Sequence, residues 1–273
     1  MSTTWQSKDM PPGMPAGPLG WMIGAIRGAL LIPLVFGGLL VLLALRLLER
    51  PVFGQTRPIT PWLTQFVCRA SLWILGVTYR SRGSPLAGAG AVVANHSSWL
   101  DIFALNAATR LYFVSKSEVS GWPGIGWLAR ATGTVFVKRD RKEAARQVQV
   151  FRDRLQVGHK LLFFPEGTST DGLQVLPFKP TLFAAFFAEE FEDMSLQAVT
   201  VKYHAPSGQD ARFYGWWGNM DFGPHLWSTL AAPRQGTIEV IYHPPVKRNA
   251  YSDRKALAKA LEEQVRSGLK INS

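Results

Sequence analysis

The 273-residue sequence is short of the residues that staple or metallate a fold, and short of charge. Cys68 is the only cysteine, so no intrachain disulfide can form, in keeping with a domain on the reducing, cytosolic side of a membrane. There are five His, no Cys-x-x-Cys pair and no His/Cys cluster with metal-ligand spacing, so neither a structural nor a catalytic metal is expected. Charged residues make up 18%, below the roughly 25% of ordinary soluble chains. There is no internal repeat, no basic reading motif and no long lysine tail. The net charge of +11 therefore has no nucleic-acid explanation, and the anionic face of a membrane accounts for it better.

What the sequence has in excess is apolar surface: 47% of residues are hydrophobic and ten are Trp. Residues 1–20, rich in Pro, Gly, Ser and Met, read as a flexible N-terminus. From Gly28 to Leu45 no charge interrupts the chain, and as a helix this run measures about 27 Å, close to the hydrocarbon thickness of a bilayer. Pro33 and Gly37-Gly38 would weaken a soluble helix but are tolerated in membrane ones. A cleaved signal peptide does not fit, because the run starts late and no small-residue cleavage site follows it. A buried core helix and a re-entrant hairpin are the alternatives to a span. Arg46, Arg50 and Arg57 follow the run, against Lys8 and Arg27 before it, which places the rest of the chain at the cytoplasmic face of the inner membrane. A second apolar stretch, Trp62 to Val77, is broken by Gln65, Arg69 and Ser71. It fits an interfacial helix, the second arm of a hairpin, or a helix packed on the globular domain. Residues 21–79 are thus read as membrane-attachment helices.

Beyond about residue 80, short apolar runs alternate with helical patterns, which predicts an α/β domain over 80–273 with a mixed central sheet flanked by helices. Strands are expected at Ala91–Ala94, Leu111–Val114, Thr134–Val137, Leu161–Phe164, Leu196–Tyr203 and Thr237–Tyr242. Helices are expected at Trp99–Ala108, 141–157 with Gly158 as the stop, 179–190 and Ser252–Arg266.

Two stretches carry chemistry. In NHSSWLD, His96 precedes Asp101 by five positions at a strand-to-helix junction, where α/β sheets place their sites. A carboxylate that holds one ring nitrogen's proton leaves the other nitrogen free to accept one. If the substrate brings its own hydroxyl, no nucleophilic Ser or Cys is required. A structural His–Asp pair at a helix start would share the spacing. In FFPEGTSTDG, residues 163–172, Pro165 ends a strand, Gly167 permits a tight turn, and Glu166 could bond an acceptor hydroxyl; a plain surface turn is the alternative.

Together these stretches resemble the glycerolipid acyltransferases typified by 1-acylglycerol-3-phosphate acyltransferase. Three of that family's blocks stand in order as NHSSWLD (95–101), GTVFVKR (133–139) and FPEGT (164–168), and the resemblance covers about residues 80–205. It implies an O-acyltransferase that moves a fatty acyl group from an acyl-carrier protein or coenzyme A thioester, as co-substrate, to a lysolipid hydroxyl. It implies no cofactor. It further implies His96 as general base, Asp101 as its orienting partner, Arg139 as holder of the acceptor's polar or anionic head, and Glu166, Gly167 and Thr168 as walls of the acceptor pocket. The partners would be membrane lipids and the thioester carrier, not nucleic acid. A catalytically inert lipid-binding scaffold is the contrasting reading, and the intact His96 and Asp101 argue against it.

Two departures bear on the acceptor. The family's last block carries a proline where this chain has Ala198, and the strand pattern survives. The third block usually continues with an arginine that helps bind phosphate; here that position is Ser169, followed by Thr170-Asp171. Losing one charge-assisted contact weakens a phosphate site by roughly 1.5–3 kcal/mol. The continuation STDG, with VLPFKPTLF (175–183) and GNMDFGPHLW (218–227), resembles the lyso-ornithine lipid acyltransferase branch, whose acceptor carries an amino acid head and no phosphate. Lyso-ornithine lipid is therefore the expected acceptor, and lysophosphatidate the alternative.

Overall fold

The computed structural model describes residues 4–7, 17–138 and 141–270. Helix α1 (Pro18–Ile32) runs through one π-helical turn (Pro33–Gly37) into α2 (Gly38–Phe53), making a single rod of 36 residues. The wide turn sits where Pro33 has no N–H to give the ladder. At about 54 Å the rod is far longer than the charge-free run suggested. It begins at Pro18, inside the segment expected to be flexible.

One side of the rod lies on the globular domain. Arg27 donates to the carbonyls of Leu230 (2.8 Å) and Ala232 (2.7 Å), and Trp21 packs on Trp227 at 4.7 Å. A Cβ on Gly24 would come within 3.0 Å of the Trp227 ring, so the close crossing needs a glycine there. The other side exposes Leu30, Leu40, Leu47, Leu48 and Val52. Only 11% of the most apolar window is buried, which rules out the core-helix alternative. The chain is therefore a membrane-associated protein. Helix α3 (Thr60–Leu75) folds back against α2, and the join is tied by Glu49, whose buried carboxylate accepts from Ile59 N, Thr60 N and the Thr60 hydroxyl. The second apolar stretch is thus both hairpin arm and packed helix: Leu72 and Leu75 are buried, while Trp62, Phe66 and Trp73 face outward.

The domain is an eight-stranded mixed sheet among the described residues. Its strands are β1 (Thr78–Arg82), β2 (Gly90–Ala94), β3 (Tyr112–Lys116), β4 (Val135–Val137), β5 (Lys160–Phe163), β6 (Ser195–His204), β7 (Thr237–Tyr242) and β8 (Val246–Lys247). The order is β1-β7-β6-β2-β5-β3-β4, with β8 beside β6. Pairs are parallel except β6–β7 and β6–β8. The remaining helices are α4 (Asp101–Ala108), α5 (Ile125–Thr132), α6 (Ala144–Gln156), α7 (Phe222–Ala231) and α8 (Arg254–Lys270). One face of the sheet packs on α3 and α4 through Leu72, Leu100, Leu105 and Val199; the other packs Phe151, Phe183, Phe186, Leu257 and Leu261. Both faces of β2 are covered, which is why all five of its residues are buried.

The expected 179–190 helix is instead two 3-10 segments, Pro180–Phe187 and Glu189–Phe191. Phe183 and Phe186, three apart, both reach the core, a spacing that the tighter helix stacks on one side. Strands β1 and β8 were not foreseen. The mostly exposed TYRSR of β1 lies at a sheet edge, and β8 is two residues long, so neither carries a buried apolar pattern.

Candidate active site

Strands β2 and β5 are parallel neighbours, with Val93 opposite Phe163, so the segments leaving their C-terminal ends emerge side by side. The first is Asn95-His96-Ser97-Ser98 and the second Phe164-Pro165-Glu166-Gly167. Asn95 fixes the end of β2: its side-chain amide donates to Val201 O (2.9 Å) and its oxygen accepts from Val201 N (2.8 Å), continuing the ladder with β6 by one side chain.

Asp101 is the first residue of α4 and is wholly buried. Its Oδ2 meets His96 Nδ1 at 2.7 Å and accepts from the N–H of Ser97 (2.8 Å) and Ser98 (3.0 Å). Its Oδ1 accepts from the Tyr203 hydroxyl at 2.5 Å. Four donors and the start of a helix thus hold a carboxylate away from water. Because Oδ2 is an acceptor, Nδ1 carries the imidazole proton and Nε2 keeps its lone pair. The ring stacks on Phe164 at 4.1 Å and 14°, and the side chain remains 23% exposed. His96 and Asp101 are the two residues the sequence singled out for catalysis, and here they form one acid–base unit with an open nitrogen.

Glu166 sits differently from expectation. It is 1% exposed, and its oxygens accept from His96 N and Leu176 N, each at 2.7 Å. The carboxylate ties the backbone of His96 to the 164–176 loop. Burial pushes its pKa up to about 8, against the pull of those two N–H groups. Gly167 takes φ +73 in a turn closed by its N–H on Phe164 O, a conformation glycine adopts without strain. The loop then returns over the site: Thr170 N donates to His96 O at 2.9 Å. Thr168 and Ser169 lie on this loop, half-buried, and Thr168 Oγ1 accepts from the backbone of Trp5, whose ring is 6.0 Å from that of Trp217. Arg139 lies outside the described residues. Among the described residues, no three His, Cys, Asp or Glu side chains converge as metal ligands.

Sequence reasoning missed Tyr203 and the 213–217 segment. Tyr203 lies on β6, 102 residues from Asp101. Burial, and next the Asp101 charge, raise its phenol well above the ordinary range, so its O–H stays a donor. Trp216 N donates to Ser97 O at 2.8 Å, closing the other side of the NHSS turn. An aromatic in a predicted strand gives no local sign that it will meet a carboxylate a hundred residues earlier. Tyr203→Phe leaves Asp101 Oδ1 without its donor and is expected to cost about 1–3 kcal/mol, a drop of several degrees in a thermal melt. An unmoved midpoint would show that another donor replaces the phenol.

Comparison with known proteins places these features in context. A family model described as Acyltransferase matches residues 77–201. The chain is 54% identical over 266 residues to the lyso-ornithine lipid O-acyltransferase of Rhodobacter capsulatus, covering 97% of this chain and 96% of that one. It is 38% identical over 188 residues to the protein of the same name from Brucella abortus, covering 64% and 69%. The crystal structure of the 1-acyl-sn-glycerophosphate (LPA) acyltransferase from Thermotoga maritima superposes with a TM-score of 0.63 at 20% identity, over 92% of this chain and 95% of that one, a likeness of fold.

Proposed function

The chain belongs to the acyltransferase family and is an acyltransferase, and from that premise we propose that it acylates the hydroxyl of lyso-ornithine lipid from a fatty acyl thioester carried by acyl-carrier protein or coenzyme A. The observation that carries the chemistry is the His96–Asp101 unit, with Nδ1 held at 2.7 Å and Nε2 open. The near full-length likeness to a relative of that name supports the choice of acceptor.

Nε2 takes the proton of the acceptor hydroxyl as its oxygen attacks the thioester carbonyl carbon. The C–O bond forms, the C–S bond breaks, and the imidazolium returns its proton to the departing thiolate. Asp101 keeps the ring oriented and steadies the transient imidazolium. Thr168 and Ser169 line the acceptor pocket, and Arg139 receives an anionic group of the head, for which the ornithine carboxylate is suited. The enzyme works at the inner membrane with its catalytic domain facing the cytoplasm, in line with Arg46, Arg50 and Arg57 after the apolar run.

The test is a competition. Purified protein receives an acyl thioester on either carrier, with equal lyso-ornithine lipid and lysophosphatidate, and the products are identified by mass. Ornithine lipid is expected to dominate. Phosphatidic acid alone would replace the acceptor, and no product from either carrier would overturn the reading.

A further inference from the structure

The three segments that frame His96, residues 95–101, 164–173 and 213–221, contain no Lys or Arg, although the chain carries +11 overall; Arg212, just before the third, is paired with Asp210 at 2.8 Å. They contain four acidic side chains. Asp101 and Glu166 are buried, with every oxygen engaged. Asp221 is exposed, immediately before α7. Asp171 is different: it is half-buried on the loop that crosses the site, one residue after Thr170, whose N–H holds His96 O at 2.9 Å. Its Oδ1 accepts from Leu173 N at 3.1 Å, and no hydrogen bond to Oδ2 is found among the described residues.

The backbone there is clamped on both sides. A Cβ on Gly172 would rest 3.5 Å from the Ser97 side chain, and one on Gly215 would meet the Asp171 carbonyl at 2.8 Å. The turn bond engages one carboxylate oxygen and leaves the other uncompensated by any cation of these segments. A carboxylate so placed on the loop beside His96 is suited to a cationic ligand group and opposed to a phosphate.

We propose that Asp171 is a specificity-determining residue that binds the free ammonium group of the acceptor's head, an inference that rests on the acceptor reading above. The ornithine side-chain amine is charged near neutral pH, as a lysine amine is. Asp171 thereby selects an amine-bearing lysolipid and repels a phosphate-bearing one, while His96 performs the transfer unchanged.

The variant Asp171→Asn keeps an Oδ1 for Leu173 N and removes the charge. Two acceptors are compared: lyso-ornithine lipid, and an analogue with a norvaline head, which lacks the amine. KM for lyso-ornithine lipid is expected to rise about tenfold in the variant. Wild-type enzyme should suffer a similar loss on the amine-free analogue, and the variant no further loss, because either deletion removes the same contact. Equal impairment of the variant on both acceptors would assign Asp171 a purely structural role and overturn the inference. So would an unchanged KM for lyso-ornithine lipid. Either result leaves the acceptor reading standing if wild-type enzyme acylates lyso-ornithine lipid; wild-type enzyme that uses only lysophosphatidate overturns both.

Discussion

His96→Ala is expected to lower acyl transfer roughly a hundred- to ten-thousand-fold, the contribution of a positioned general base. The fold should survive, because Asp101 keeps its bonds to Ser97 N, Ser98 N and Tyr203 and stays satisfied without the imidazole. The measurement is a rate at saturating thioester, paired with fractionation to show that the variant still pellets with membranes. A variant that folds, pellets and works at full rate would remove His96 from the chemistry.

The second large effect is on stability. Glu166→Ala orphans two buried N–H groups, those of His96 and Leu176, at about 1–3 kcal/mol each, and should lower the melting temperature by about ten degrees. The kinetics separate a brace from an acceptor ligand. As a brace, Glu166 holds His96 in position, so its loss lowers kcat and spares the acceptor KM. As a ligand, its loss would raise KM and leave the melt alone. The carboxyl also gives a pH dependence of definite sign. Its folded value, about 8, lies above the ordinary 4.5, so the folded chain holds a proton that the unfolded chain has released. This contribution is fully present below 4.5 and is lost as pH rises through 8. Glu166→Gln should flatten that limb of the stability profile.

These two residues mark how far the sequence could be read. His96 and Asp101 were legible because a short turn has few ways to place them: five positions across a strand-to-helix junction leave little freedom. The pairing of the 95–101 and 164–172 segments was suggested by block order, and its physical cause is the register of β2 on β5. Glu166 shows the limit. Its position in the turn was readable, but whether its side chain faced the pocket or the protein depended on Leu176 N, ten residues on, and on the backbone of His96, seventy residues back. Tyr203 was invisible for the same reason, since it reaches Asp101 only through the tertiary arrangement of β6 and α4. The 179–190 segment was misjudged as a helix because apolar spacing alone does not separate three residues per turn from 3.6. The rod from Pro18 to Phe53 outran the charge-free window because Arg27 and Arg46 find carbonyl partners in the protein.

That rod has a kinetic consequence. Arg27 fastens α1 to α7, and His225 of α7 accepts the indole N–H of Trp99, three residues from His96. The exposed apolar stripe and His96 are thus linked through consecutive contacts, and the depth at which the rod rests in the bilayer also sets the level of Nε2. An acceptor reached this way is met in two dimensions. Its effective concentration is its mole fraction in the leaflet, not its amount per litre, so inert lipid acts as a diluent of substrate even when the total quantity of acceptor is unchanged.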